Sequence, residues 1–267
     1  GKFSLDGTEY NLVRNNDGQS LHGGNKGLDR IVWNVDRVTD NEVAFSYMSP
    51  DGEEGYPGTV VFKVVYMLTS DNELKITYNA VTDKPTVVNL SCHAFFNLKG
   101  AGNGTVDDHI LTINSSRITP VDSFLIPTGE RVPVEGTPFD FRVPTAIGAR
   151  LDQDNEQLRF GKGYDHNWII DKKIEGVEQI ASVYEPTLGR YMEVWSDQPG
   201  LQFYGGNFFN GKVKDKYGKP MRFREAIALE TQKFPDSPNH PDFPTTRLNP
   251  GEVYVHTCIY KFMTKNE

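Results

Sequence analysis

Two titratable side chains in this sequence have surroundings that suit proton transfer. His93 lies in NLSCHAFFNLKG, residues 89–100, among mostly apolar and aromatic neighbours. Glu230 lies in AIALETQKFPDSPN, where an apolar run meets a polar, Pro-rich run. A carboxylate at such a boundary is expected to be partly desolvated, and desolvation raises its pKa towards the range of a general base. Taken singly, a histidine in a strand is more often structural, and a lone glutamate is more often exposed or salt-bridged.

Three further side chains could hold a polyhydroxylated ligand. His22 lies in NNDGQSLHGG, beside a glycine pair that lets the backbone approach a ligand closely. Asp165 lies in GYDHNWII, just ahead of an apolar strand, where a carboxylate could accept hydroxyl protons or simply form a turn. Gln202 lies in QPGLQFYGGNFF, a neutral donor and acceptor among aromatic residues. Aromatic faces with a few directed polar groups are typical of a carbohydrate site, although an ordinary aromatic core cluster would give the same sequence pattern.

Other chemistries lack their motifs here. The sequence contains no GxSxG, no HExxH and no CxxC, and its histidines, cysteines and aspartates form no metal-ligand spacing. YGGNFFNG lacks the strand–turn–helix context of a phosphate-binding glycine loop. We therefore expect no metal and no redox cofactor. Cys92 and Cys258 are expected to be buried free thiols.

Charge and hydropathy limit the partners. The formal net charge is −8, and an acidic surface repels phosphate backbones, so nucleic-acid binding is not expected. No window approaches 18 consecutive apolar residues, so no transmembrane helix and no membrane partner are expected. The expected compartment is the cytoplasm, with the periplasm and secretion left open because the chain begins with Gly1.

The elements that must position these residues are strands. Apolar residues alternate in EVAFSY, TVVFKVVYML, ELKITYNA and several later runs, and Gly and Pro fall mostly between them. Asp6-Gly7 separates two alternating runs, which predicts a hairpin. The best helical candidate, residues 144–161, predicts only a turn or two. Since no linker or repeat divides the chain, we expect residues 1–267 to form a single all-β domain, an antiparallel sandwich.

Five motifs together resemble one family. NNDGQSLHGG, SCHAFFNLKG, GYDHNWII, QPGLQFYGGNFFNG and ALETQKFPDSPNHPDFPTTRLNPGE occur in that order. This combination resembles the aldose 1-epimerase (galactose mutarotase) family along essentially the whole chain. The resemblance implies a large antiparallel β-sandwich and an isomerase that interconverts the α and β anomers of free aldohexoses, such as glucose and galactose, without a cofactor. The expected partner is therefore a small aldose sugar, and the expected state is a monomer or a weak homodimer.

The resemblance also implies a role for each candidate. His93 matches the family's general acid and Glu230 its general base, and the two are expected on opposite sides of the sugar. His22, Asp165 and Gln202 match positions that hold sugar hydroxyls.

Two features depart from the family pattern. The family's additional N-terminal strands, with an Asn-Arg pair that contacts substrate, have no counterpart here, and Arg14 lies in a different context. Phe95 stands at a sugar-contacting position where the family often has Tyr, so a hydroxyl is missing there.

Two alternatives stay open at this point. The chain could be a carbohydrate-binding protein on the same fold with impaired catalysis. It could also act on a phosphorylated hexose, but that would require a basic cluster, and the loops near the candidate residues are expected to carry few Lys or Arg.

Overall fold

The computed structural model describes residues 1–265, and most of its regular structure is β-strand. The strands are β1 Lys2–Leu5, β2 Thr8–Asn11, β3 Asn34–Val38, β4 Glu42–Ser49, β5 Val60–Leu68, β6 Glu73–Thr82, β7 Thr86–Val87, β8 Phe95–Phe96, β9 Ile110–Ile113, β10 Arg117–Thr119, β11 Val132–Pro133, β12 Thr145–Ala146, β13 Asp165–Ile169, β14 Glu178–Glu185, β15 Arg190–Ser196, β16 Gly200–Tyr204, β17 Ile227–Gln232, β18 Arg247–Leu248 and β19 Tyr254–Thr264. The α-helix α1 spans Glu156–Gly161, and 3-10 turns lie at Glu53–Gly55, Ile147–Arg150 and Ser237–Asn239.

The chain divides into two compact units. The first comprises residues 1–70, 74–90 and 236–257, and the second comprises residues 71–73, 91–235 and 258 onwards. The prediction that the whole chain forms a single domain stays a prediction.

In the first unit, antiparallel strands follow one another in the order β6-β5-β4-β3. The predicted hairpin is present, with Leu5 paired to Thr8 across Asp6 and Gly7. Both turn residues have positive φ, 51° and 78°, a conformation that Asp tolerates and Gly adopts freely. The Asp-Gly pair therefore sets the register of this hairpin.

The second unit contains two antiparallel sheets. One has the order β11-β10-β13-β16-β17-β8, and the other includes the run β12-β9-β14-β15-β19. They face each other, since Phe96 of β8 lies 4.8 Å from the Tyr260 ring of β19 and the Tyr260 hydroxyl donates to the Leu229 carbonyl of β17 at 2.7 Å. The predicted antiparallel sandwich is confirmed here.

Local signals explain the only α-helix in residues 1–265. Asn155 caps it by accepting from the backbone N–H groups of Gln157 and Leu158. Lys162 ends it in the left-handed region at φ 53°. The prediction of a turn or two in residues 144–161 is confirmed.

The two cysteines carry free thiols, and Cys258 is buried as expected, whereas Cys92 is only partly buried. Within residues 1–265, no helix is long and apolar enough to cross a membrane.

Candidate active site

Three neighbouring strands of the six-stranded sheet place Asn167, Gln202 and Glu230 in one row. Asn167 of β13 pairs with Gln202 of β16, and Gln202 pairs with Glu230 of β17. Directly paired residues project to the same face of a sheet, so the three side chains lie side by side. Glu230 lies inside its strand, and the predicted position at a strand–loop boundary is wrong. Its burial comes from the sheet and its neighbours, with 8% of the residue exposed.

A second row lies beside the first on the same face. Asp165 pairs with Tyr204, Tyr204 with Ala228, and Ala228 with Phe95 of β8. Each residue of this second row lies two residues along the chain from a member of the first row or from His93. Side chains two residues apart in a strand project to the same side, so both rows lie on one face of the sheet. A carboxylate therefore closes one end of the second row, and an aromatic ring closes the other.

His93 extends the first row beyond Glu230. It lies two residues before β8. Its Nε2 lies 3.6 Å from Oε1 of Glu230, and its ring lies 4.8 Å from the Phe95 ring. The side chain of His93 is 34% exposed and that of Glu230 is 11% exposed. The predicted acid and base are thus adjacent, with no room for a sugar between them, so the expected placement on opposite sides of the sugar is wrong. A ligand meets both from the same side.

The opposite face of these strands is a packed core. Its members include His166, Trp168, Phe203 and Leu229, all fully buried. The Tyr164 ring stacks on Phe203 at 5.3 Å. Close packing behind the strands holds the site residues in fixed positions.

Burial perturbs the pKa of both site carboxyls, and the charge of Asp165 perturbs that of Glu230 further. Desolvation, followed by the negative charge of Asp165, raises the pKa of Glu230 to about 8. Desolvation raises the pKa of Asp165 to about 6, although the Gln202 amide, which donates to Oδ1 of Asp165 at 2.8 Å, opposes the rise. Glu230 therefore titrates near neutral pH, as a general base requires.

Aromatic side chains form a wall beside His93. This aromatic wall consists of Phe95, Tyr204, Phe208 and Phe209. Phe95 lies 5.0 Å from Phe209 and 6.2 Å from Tyr204, and Tyr204 stacks with Phe208 at 6.1 Å. The Tyr204 hydroxyl accepts the Phe208 backbone N–H at 2.8 Å. The wall offers apolar faces of the kind that pack on the C–H faces of a sugar.

The sequence interpretation missed the site positions of three useful side chains. Asn167 and Tyr204 share the site face, and their spacing of two from Asp165 and Gln202 was the available signal. The buried amide oxygens of Asn167 and Gln202 have no hydrogen-bond partner within residues 1–265. Gln202 can therefore accept a hydrogen bond from a ligand hydroxyl.

Lys162 is the third. Its Nζ lies 5.3 Å from the centre of the Phe208 ring, so a cation stands at the edge of the aromatic wall. In the sequence, Lys212, Lys214 and Lys216 follow soon after Phe209. The expectation that few Lys or Arg lie near the candidate residues stays a prediction.

His22 belongs to the first unit, whereas the residues above belong to the second. It is exposed and has a positive φ of 52°. The group that approaches the neighbouring Gly24 is the Glu54 carboxylate, whose oxygens accept the backbone N–H groups of Asn25 and Lys26 at 2.9 and 3.0 Å. A Cβ at Gly24 would overlap the Glu54 side chain, which explains this glycine. The role of His22 as a sugar ligand stays a prediction.

Other histidines are structural. His109 is buried, and its Nε2 accepts the Leu98 backbone N–H at 3.0 Å. His256 is buried and stacks on Tyr78 at 4.7 Å. In the described part of the chain, no group of three or more His, Cys, Asp or Glu side chains could hold a metal ion.

Comparison with known proteins decides the family. The family model for aldose 1-epimerase matches residues 1–261. The chain belongs to the aldose 1-epimerase family. The predicted family is thereby confirmed.

Named relatives of this aldose 1-epimerase family member include vertebrate and bacterial proteins. Galactose mutarotase from Bos taurus is 45% identical over 262 residues, which are 98% of this chain and 74% of the relative. Aldose 1-epimerase from Escherichia coli K12 is 36% identical over 266 residues, which are 99% of this chain and 76% of the relative. The chain thus spans about three quarters of the length of these relatives.

Solved structures agree with the fold. An aldose epimerase homologue from C. elegans superposes with a TM-score of 0.90 at 28% identity, over 99% of this chain and 78% of that chain. Galactose 1-epimerase from Lactobacillus acidophilus superposes with a TM-score of 0.86 at 28% identity, over 100% of this chain and 76% of that chain.

Proposed function

We propose that this protein is an aldose 1-epimerase that interconverts the α and β anomers of free aldohexoses, with Glu230 as general base and His93 as general acid. The observation that carries the proposal is the 3.6 Å separation of His93 Nε2 and Glu230 Oε1 on one face of the sheet. Membership of the family supports the same reaction.

The reaction needs two proton transfers at neighbouring oxygens. Glu230 takes the proton of the anomeric hydroxyl while His93 protonates the ring oxygen, the bond between C1 and the ring oxygen breaks, and an aldehyde forms. Rotation about C1–C2 exposes the other carbonyl face, and reclosure reverses both transfers. Both oxygens are bonded to C1, so an acid and a base that lie side by side can reach them from one side of the sugar. Each positioned acid or base contributes about 10²- to 10⁴-fold.

The remaining site residues bind and orient the sugar. Asp165 accepts hydrogen bonds from sugar hydroxyls, and Gln202 accepts one through Oε1 while its amide holds Asp165 in place. Phe95 packs against a C–H face of the sugar, and His22 holds a further hydroxyl. A cytoplasmic location and a monomeric or weakly dimeric state remain predictions.

Polarimetry tests the proposal directly. Freshly dissolved α-D-glucose or α-D-galactose should reach its equilibrium rotation faster with protein than in buffer. Unchanged relaxation, with sugar binding still detected by calorimetry, would favour the carbohydrate-binding alternative. Unchanged relaxation without binding would reject both.

A phosphorylated hexose is a second candidate substrate because Lys162 stands at the edge of the aromatic wall. This candidate predicts a higher kcat/KM for glucose 6-phosphate than for glucose, and the difference between the two values should decrease with added salt. Lys162→Asn, which suits the left-handed backbone, should remove that difference. Equal values for both sugars in the wild-type protein would reject this candidate.

A further inference from the structure

Residues 210–225 form a basic hairpin in an otherwise acidic chain. These 16 residues contain four Lys and two Arg but one Asp and one Glu, which gives them a formal net charge of +4. The whole chain carries −8, so the other residues carry −12. We call residues 210–225 the basic hairpin. Positive charge is therefore gathered on one short segment of the second unit.

Hydrogen bonds hold the basic hairpin in shape. The Met221 N–H donates to the Val213 carbonyl at 2.8 Å, and the Asp215 N–H donates to the Lys219 carbonyl at 2.8 Å. At the turn, the Asp215 carboxylate accepts the backbone N–H groups of Tyr217 and Lys219 at 2.9 and 2.8 Å. The backbone positions from which the cations project are therefore fixed, and the one aspartate of the hairpin is used to hold the turn.

The cations of the basic hairpin have no acidic partner of their own. Five of these residues are exposed, and none of their side chains forms an ion pair within residues 1–265: Lys212, Lys214, Lys216, Lys219 and Arg222. Arg224 differs, since its Nη1 lies 3.8 Å from Oδ2 of Asp107. Like charges on one hairpin repel each other. An anionic surface outside the protein would offset that repulsion.

Apolar side chains lie among these cations. Val213, Tyr217 and Phe223 are 62%, 68% and 46% exposed. Removing apolar surface from water is favourable, and tyrosine is enriched where lipid headgroups meet the acyl chains. The phosphates of a nucleic acid would attract the cations but would give a valine no apolar contact. Exposed cations and exposed apolar side chains together fit a membrane surface better than a nucleic acid.

An anionic bilayer surface provides for both kinds of side chain. Clusters of Lys and Arg are attracted to phosphatidylserine headgroups, and apolar side chains can enter the interface beneath them. Charges that lie more than a Debye length from the surface, about 8 Å at physiological salt, interact with it only weakly. A bilayer that touches the hairpin therefore responds mainly to the positive charge of the hairpin. The expectation of no membrane partner was based on transmembrane helices, and a protein bound at the surface needs none.

We infer that the basic hairpin docks the protein on a membrane surface that carries anionic headgroups. The cations contact the headgroups, and Val213, Tyr217 and Phe223 enter the interface. This inference does not depend on the proposed function, since it uses neither the acid nor the base of the candidate site.

Vesicle sedimentation with the full chain tests this inference. Two vesicle preparations are compared, one of phosphatidylcholine alone and one of phosphatidylcholine and phosphatidylserine in equal parts. The partition coefficient of the wild-type protein should be at least about tenfold higher for the anionic vesicles, and this preference should decrease as salt is added. Equal partition into both preparations would overturn the inference.

Removal of charge locates the contact. Each Lys near an anionic surface contributes about a factor of five to binding, so replacing three should weaken binding by about a hundredfold. The test variant combines Lys212→Gln, Lys214→Gln and Lys216→Gln. The control variant removes the same charge at exposed positions outside the hairpin by combining Lys26→Gln, Lys63→Gln and Lys173→Gln. The control should bind like the wild-type protein, and equal weakening in both variants would overturn the inference.

Two further measurements address the apolar side chains and the alternative polyanion. Val213→Ser combined with Tyr217→Ser should weaken the vesicle binding that remains at high salt, where the attraction of the cations is screened, and unchanged binding would overturn the placement of these side chains in the interface. Polyuridylate that binds more tightly than the anionic vesicles, and through the same three lysines, would overturn the choice of a membrane. Urea unfolding checks that each variant is folded, and the wild-type preference between vesicles decides if the test variant is not.

Discussion

The repulsion between Asp165 and Glu230 leads to a quantitative prediction. Asp165→Asn removes the negative charge that raises the pKa of Glu230, and it leaves the desolvation, which is the larger cause. Since the pKa of Asp165 is about 6, this carboxyl is charged over the range where Glu230 titrates. The pKa of Glu230 should therefore fall in the variant and stay above its ordinary value.

The size of the shift follows from the sheet. Asp165 projects from β13 and Glu230 from β17, and β16 lies between these two strands. Two strand spacings place their charges about 10 Å apart. At that distance, with an effective dielectric constant of about 20, two unit charges repel by about 1.7 kcal/mol. This is about one pKa unit.

The assay is the pH profile of kcat/KM, which reports ionisation in the free enzyme. Glu230 must be deprotonated and His93 must be protonated to act, so kcat/KM should follow a bell-shaped pH profile, and one limb of it should report the Glu230 ionisation near pH 8 in the wild-type protein. In Asp165→Asn that limb should move about one unit lower, whatever the variant loses in sugar affinity. An unmoved limb, or one moved to higher pH, would refute the electrostatic account of the site.

Three further predictions concern neighbouring residues. His93→Asn should lower kcat by about two to four orders of magnitude with a milder effect on KM, as steady-state polarimetry can measure; a variant with near-normal turnover would remove His93 from the acid role. Gln202→Ala should act chiefly on KM, because it removes an acceptor for a sugar hydroxyl, and a change confined to kcat would contradict this binding role. It should also raise the pKa of Asp165 further, since the amide that opposes the rise is lost. Because the pKa of Glu230 is about 8 when folded and near 4.5 when unfolded, the folded state binds the extra proton between these values, so stability should fall as pH rises across this window. Glu230→Gln should reduce that loss by up to about 4 kcal/mol between urea unfolding at pH 5 and at pH 8.5, and equal pH slopes in both proteins would show that Glu230 is not held protonated.

Local patterns made most of the fold predictable. Alternating residues identified strands such as β5 and β16, and Asp6-Gly7 identified a hairpin, because side-chain period and turn geometry are local properties. The site could be predicted only residue by residue. That His93, Glu230 and Gln202 form one row depends on strand register between distant segments, which no local pattern encodes.

Tertiary contacts also explain the misplacements. Glu230 is desolvated inside a strand that β8 and β16 cover on both edges, so its desolvation does not come from the strand–loop boundary that the sequence indicated. Asn167 went unnoticed, and Tyr204 was noticed only as one of several aromatic residues near Gln202, because an alternating strand does not reveal which of its faces is the site.

The most direct measurement of the central claim is the anomer exchange rate of Glu230→Gln, followed by polarimetry or by NMR exchange between the α and β signals of a free aldose. Glu175→Gln, the same change at an exposed loop position, serves as the matched control. We expect Glu175→Gln to exchange anomers like the wild-type protein and Glu230→Gln to be slower by about two to four orders of magnitude. A folded Glu230→Gln protein that exchanges anomers at the wild-type rate would contradict the assignment of Glu230 as the base.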